Sequence, residues 1–291
     1  MPRSIKQLVL AVYHAAVEPL TALRRRSARL AMFEPRGEAW PPEISVRALR
    51  ACDCPPRCKA HPHRIEGVVS RYLGGPRKPS RLTPLVIDLE KYPTNAAFEA
   101  YVRKRSSRSL PKVRQAQRLG YRAGRFPLSR HVHDVHAVKT SMKRRAFGLV
   151  LDYWLLRLED VGKPAVKPVA WRAPPCRRHW TMWWGVFLPE PGHAQGPVTV
   201  DERLVAYVKL VRRGDFIHYA DLMGHADSLD ANVMALLHFE IMKWLLDRED
   251  PLVLGVRAVL YGAAEQGGEG LVTWKKRAGF EPARLTLVEE S

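Results

Sequence analysis

Leu204-Val-Ala-Tyr-Val-Lys-Leu-Val211 and Asp215-Phe-Ile-His-Tyr-Ala-Asp-Leu-Met223 precede Val233-Met-Ala-Leu-Leu-His-Phe-Glu-Ile-Met-Lys-Trp-Leu-Leu246. The first two are rich in branched and aromatic residues and read as strands. The third repeats apolar residues at helical spacing, which predicts a long amphipathic helix. A further strand is expected at residues 253–261 and a short helix around Gly270-Leu-Val-Thr-Trp-Lys-Lys-Arg-Ala-Gly-Phe280. Arg284-Leu-Thr-Leu-Val288 closes the series. The order β-β-α-β-α-β predicts an α/β fold, a mixed twisted sheet flanked by helices.

Upstream, Leu85-Val-Ile-Asp-Leu89 reads as a buried strand. Thr94 or Asn95 can cap a helix through Phe98, Tyr101 and Val102. A second helix fits residues 111–119, with Pro111 in its first turn and Gly120 at its end. Residues 121–126 suggest a strand, and 131–158 a helical region interrupted near Gly148. A Pro-rich connector at 160–178 leads to a strand over 179–188, and 189–201 reads as an exposed loop. Residues 34–84 lack periodicity and are expected to be loop-like, or a small motif held by something other than a core. Residues 5–31 suggest an amphipathic helix bent or ended by Pro19. The expected organisation is a basic, irregular extension (1–84) and an α/β domain (85–291). Within that domain, 85–160 is a divergent first part and 179–288 a clearer core.

The chain has 291 residues, 46% hydrophobic and 26% charged, with a formal net charge of +19. Residues 1–150 hold 31 of the 48 Lys and Arg but only 10 of the 29 Asp and Glu, a balance of +21; the remainder stands at −2. A genome bias toward arginine would load both halves alike. The asymmetry therefore predicts a polyanionic partner for the first half, tRNA or another nucleic acid, or an anionic membrane surface. Four cysteines form no disulfide scaffold, and no apolar run has the length of a membrane span. A cytoplasmic setting follows as the expectation, with peripheral attachment to a membrane as its variant.

Gly-Leu-x-x-Trp-Lys-Lys-Arg-x-Gly-Phe-x-Pro, over residues 270–282, is similar to the end of FemAB-like proteins, a branch of the GNAT acyltransferase fold. Lys91-Tyr92-Pro93 after the 85–89 strand, the basic helix ending Gly120-Tyr121, and the segment from His133 to Ser141 with Arg144 and Arg145 resemble the same branch. The resemblance covers about residues 85–288. It implies an acyl- or aminoacyl-transferase that moves its group from acyl-CoA or aminoacyl-tRNA to an acceptor amine. It also implies that Lys275 contacts a negatively charged substrate or intermediate. Acyl-CoA enzymes of this fold cradle pyrophosphate on a Gly-rich loop opening the central helix. Here that loop, residues 224–232, has one glycine and the acidic Asp227 and Asp230, which argues against ordinary CoA binding.

Amine acylation needs a base for the amine proton and donors for the developing oxyanion. His218 or Asp221 is the candidate base, and Tyr219 or Tyr261 a proton donor. Strict alternation puts Asp215, Ile217, Tyr219 and Asp221 on one strand face, and Phe216, His218 and Ala220 on the other. His238 and Glu240 lie on the central helix. Trp180, Trp183 and Trp184 alternate faces and are mainly core. No acidic residue occurs from 101 to 130, and Arg114, Arg118 and Arg122 recur at four-residue steps, a phosphate-binding pattern. Arg144, Arg145 and Lys276 are further candidates for phosphate contact. His131, His133 and His136 around Asp134 read as solvated or phosphate-facing. Cys52, Cys54, Cys58 and His61 offer the ligand types of a structural zinc site, in a spacing that matches no common finger. The rival readings are a nucleic-acid-binding protein on a degenerate scaffold and a membrane-associated lipid N-acyltransferase.

Overall fold

A computed structural model describes residues 30–33, 41–49, 72, 82–145 and 148–290; for 46–49, 145, 148–149 and 287–290 only the backbone is described. The expected helix at 5–31 and the Cys52, Cys54, Cys58 and His61 group lie almost wholly, and wholly, outside these residues.

The strands are β1 (Glu43–Leu49), β2 (Pro84–Asp88), β3 (Arg122–Phe126), β4 (His179–Pro189), β5 (Glu202–Arg213), β6 (Phe216–Gly224), β7 (Ala258–Ala263), β8 (Glu281–Pro282) and β9 (Arg284–Glu290). The longer helices are α1 (Asn95–Arg105), α2 (Ser109–Arg118), α3 (Val132–Thr140), α4 (Val233–Asp247) and α5 (Glu269–Arg277). A seven-stranded sheet runs in the order β8-β2-β7-β6-β5-β4-β3. Only β6 and β7 are parallel; the other pairs are antiparallel. With helices on both faces, this is the mixed sheet flanked by helices expected from the sequence.

The two-sided cover explains the sequence of β5. Leu204 to Val208 are all buried, because alternate side chains meet helices on opposite faces. On one face Trp180, Met182, Trp184 and Val208 pack with Leu236, Leu237 and Ile241 of α4. On the other, Leu204 and Tyr207 pack with Val135 and Val138 of α3. Thr94 caps α1, its Oγ1 accepting from the Ala97 N–H at 3.2 Å. Gly120 follows α2 with φ +88°, the left-handed position a helix end favours.

Several expectations need correction. The strand expected at 253 begins at Ala258, because the buried Arg212 guanidinium takes the Leu252 and Leu254 carbonyls, each at 2.7 Å. Those carbonyls are thereby held in turns rather than in a ladder. Residues 34–84 include β1, which pairs in parallel with β9 as a separate ribbon; this long-range partner leaves no local periodicity. The loop at 189–201 contains a small hairpin with Gln195, Val198 and Val200 buried. The 131–158 region forms α3, then a short hairpin and a short helix at Leu151–Leu155.

His131 is fully buried rather than solvated. Its Nδ1 bonds Asp134 Oδ2 at 3.0 Å, while Asp134 Oδ1 meets His193 Nε2 at 2.9 Å and the Leu204 N–H donates to Oδ2. Burial alone would raise the Asp134 pKa, but these bonds outweigh it and hold it below the ordinary carboxylate value.

Candidate active site

The parallel strands β6 and β7 share three register pairs, ending at His218 with Leu260. Just beyond, each strand also breaks register with its outer neighbour. Ala220 is skipped between β6 and β5, and Tyr261 and Gly262 between β7 and β2. Gly262 takes φ +58°, a backbone setting glycine accepts without strain. Two adjacent irregularities open the sheet at the end from which the chain enters α4.

Three of the candidate residues meet here. The Tyr219 and Tyr261 rings lie 5.8 Å apart, and Lys275 Nζ sits 4.5 Å from the Tyr261 ring centre. Lys275 Nζ also donates to the Ala263 carbonyl at 3.3 Å. Burial lowers the Lys275 pKa to about 7, with the nearby Glu265 carboxylate acting in the opposite direction. The chain thus holds an amine that changes charge near neutrality. His238 completes the group. Its Nε2 faces the Ala278 carbonyl at 2.8 Å and therefore carries the proton, leaving Nδ1 to accept from the Tyr219 hydroxyl at 3.3 Å. Burial pushes the imidazole down to about 4 and the Tyr219 phenol up. This pair is neutral and fixes ring positions; it is a poor base.

His238 also lines a cleft of about 680 Å³ beside this group. The amino ends of α2, α4 and α5 border it through Ser109, Met234 and Ala235, and Glu269 and Gly270. Arg108, Lys112 and Arg277 add three cations, against the carboxylate of Glu269, while Phe239 and Trp274 supply apolar wall. Helix N-termini and cations together favour a bound anion. Asp227 and Asp230, which argued against phosphate here, are exposed on a short 3-10 turn, and neither lines the cleft.

The remaining candidates lie apart from it. His218 is buried on the other side of the sheet, edge-on to Tyr72. Asp221 does not share a face with Tyr219: the skipped Ala220 turns it to the α3 side, where it bonds the Tyr207 hydroxyl at 3.2 Å and Lys139 Nζ at 2.9 Å. Arg114 and Arg118 are exposed on the α2 flank away from the cleft, beside a shallow groove with Pro111 and Gln117. Arg122 is exposed at the start of β3 and Arg144 on a two-residue strand whose backbone continues through Arg145. Lys276 Nζ donates to the Met32 carbonyl at 2.6 Å, tying α5 to the N-terminal segment. Among the described residues no cluster of His, Cys, Asp and Glu is arranged to hold a metal. Sequence reasoning undervalued His238 and Arg277; their signal was position, the sixth residue of the central helix and two residues past the Trp-Lys pair.

No known family pattern matches the chain, and no curated protein is similar to it in sequence. Among solved structures it is similar to FemX, at 12% identity and a TM-score of 0.45, over 73% of this chain and 62% of that one. It is also similar to a tandem GNAT protein from the clavulanic acid biosynthesis pathway, described without AcCoA, at 14% identity and a TM-score of 0.33, over 76% and 55% of the two chains. The chain thus matches less than two thirds of the length of either.

Proposed function

We propose that this protein transfers an acyl or aminoacyl group from a phosphate-bearing thioester or ester donor to an acceptor amine. The observation that carries the reading is the opening between β6 and β7 beside a cleft that gathers three helix N-termini and three cations. In this account Arg108, Lys112 and Arg277 hold donor phosphates, and the reactive acyl carbon enters the gap near Tyr261 and Lys275. The proton lost by the attacking amine passes to solvent in the cleft. The nitrogen forms its bond to the acyl carbon, the bond to sulfur or oxygen breaks, and Tyr261 protonates the leaving group. Tyr219 and His238 keep Tyr261 in place. The enzyme itself forms no covalent intermediate; positioning and charge supply the rate.

Calorimetric titration with acetyl-CoA near physiological salt tests the donor site. Binding at micromolar strength, weakened about tenfold or more by Arg277→Glu, supports an acyl-CoA donor in the cleft. Absence of binding removes that donor and leaves an aminoacyl ester of tRNA as the form of the proposal to assay. Transfer unaffected by Arg108→Glu and Arg277→Glu together would refute the cleft assignment.

A further inference from the structure

The α1–α2 hairpin separates its cations into two kinds. Arg105 reaches Glu281 at 2.6 Å, and beyond the hairpin Arg125 reaches Asp250 at 2.7 Å; both are half-buried and neutralised. Arg103, Lys104, Arg108, Lys112, Arg114 and Arg118 are exposed, and no ion pair to a carboxylate forms at any of them among the described residues. A solvated helix face normally mixes both signs of charge, which keeps the local potential small. The exposed ridge of α2 carries a single sign; on the Arg114 flank Glu99 and Glu240 line a groove with Arg114 but form no ion pair with it among the described residues.

The packing of α2 fixes where these charges point. Leu110, Val113 and Ala116 are buried, so the outward ridge runs along Pro111 and Gln115. Arg108 and Lys112, four residues apart, lie on the flank that faces the cleft. Arg114 and Arg118, also four apart, lie on the opposite flank. Each row is spaced by about 6 Å, and the rows are separated by about the 10 Å width of a helix. Two parallel cationic rows match two phosphate strands bordering a groove better than they match one strand. The ridge also lacks an exposed aromatic on which single-stranded bases would stack: α2 contains none, and Tyr101 of α1 is bonded to Glu281.

We propose that the exposed ridge of α2, extended by the last turn of α1, docks on the phosphate backbones of double-helical nucleic acid. This surface continues from the rim of the cleft and shares Arg108 and Lys112 with the proposed donor site, whereas Arg114 and Arg118 face away from that site and test the docking surface separately from it.

Fluorescence anisotropy with a 20-base-pair RNA duplex, the matching DNA duplex and one isolated strand, between 50 and 200 mM salt, tests it. The expected result is tighter binding to a duplex than to the strand. The logarithm of affinity should fall with the logarithm of salt at a slope of about 3 to 4, as four phosphate contacts require. The RNA and DNA arms identify which duplex form fits. Arg114→Glu with Arg118→Glu should weaken duplex binding at least tenfold and lower the slope by about two, and Arg114→Gln with Arg118→Gln should do the same more mildly. Both pairs lie on exposed positions, so thermal melting should not change. Unchanged affinity in either pair, tighter binding to the single strand, or stronger capture by vesicles of anionic lipid than by either duplex would overturn the proposal.

Discussion

Lys275 places an ammonium where solvent cannot reach it, and its pKa falls to about 7 because burial disfavours the charged form. The unfolded lysine titrates at its ordinary 10.5. Between those values the unfolded chain binds more protons than the folded one, so stability rises with pH from 7 to 10.5 and is lowest below 7. Lys275→Met removes the titrating group. It should flatten that pH dependence and raise stability near pH 6 by on the order of a few kcal/mol, read by denaturant unfolding at several pH values. A slope unchanged by the substitution would mean that Lys275 is solvated. Contact of Lys275 with the negatively charged substrate or intermediate, as the sequence resemblance implies, predicts that the same variant loses transferase activity while it gains stability. Sequence resemblance singled out Lys275, but not its burial. Asp221 shows the opposite limit: alternation along a regular strand predicted its face wrongly, because the skipped Ala220 depends on β5 and has no local signal.

At the level of elements, two junctions carry much of the site's geometry. Gly279 ends α5 at φ +97°, and a Cβ there would lie 2.9 Å from Phe98 Cε2. Gly279→Ala combines backbone strain with a clash, and a loss of about 1–3 kcal/mol is expected. Because Ala278 supplies the carbonyl bonded to His238, donor binding should weaken along with melting temperature. The second junction is Asp134, which joins α3, the hairpin loop and β5 through His131, His193 and the Leu204 amide. Its folded pKa is held down, so its contribution is present above the unfolded value of 3.8 and is lost as pH falls through the folded one. Asp134→Ala should cost about 3 kcal/mol at neutral pH, measured by urea unfolding, and the deficit should shrink on acidification. The repeated apolar spacing made α4 and the strands β5 and β6 legible in sequence. The Asp134 junction was not, since its partners lie about 60 and 70 residues away.

At the scale of the whole molecule, the charge asymmetry and the fold meet along one edge of the cleft. The basic hairpin of the first half supplies Arg108 and Lys112, and the near-neutral second half supplies Arg277 and the α4 and α5 N-termini. Across residue 84, β1 pairs with β9 and Phe33 joins the main core. Neither half makes the cleft alone, which is why composition pointed to an anionic partner without locating its site. Hydrogen exchange of the full chain with and without acetyl-CoA tests the central claim most directly. The account predicts slowed exchange at the first turns of α4 and α5 and along the diverging ends of β6 and β7. Binding accompanied by protection elsewhere, with these four segments unchanged, would contradict it.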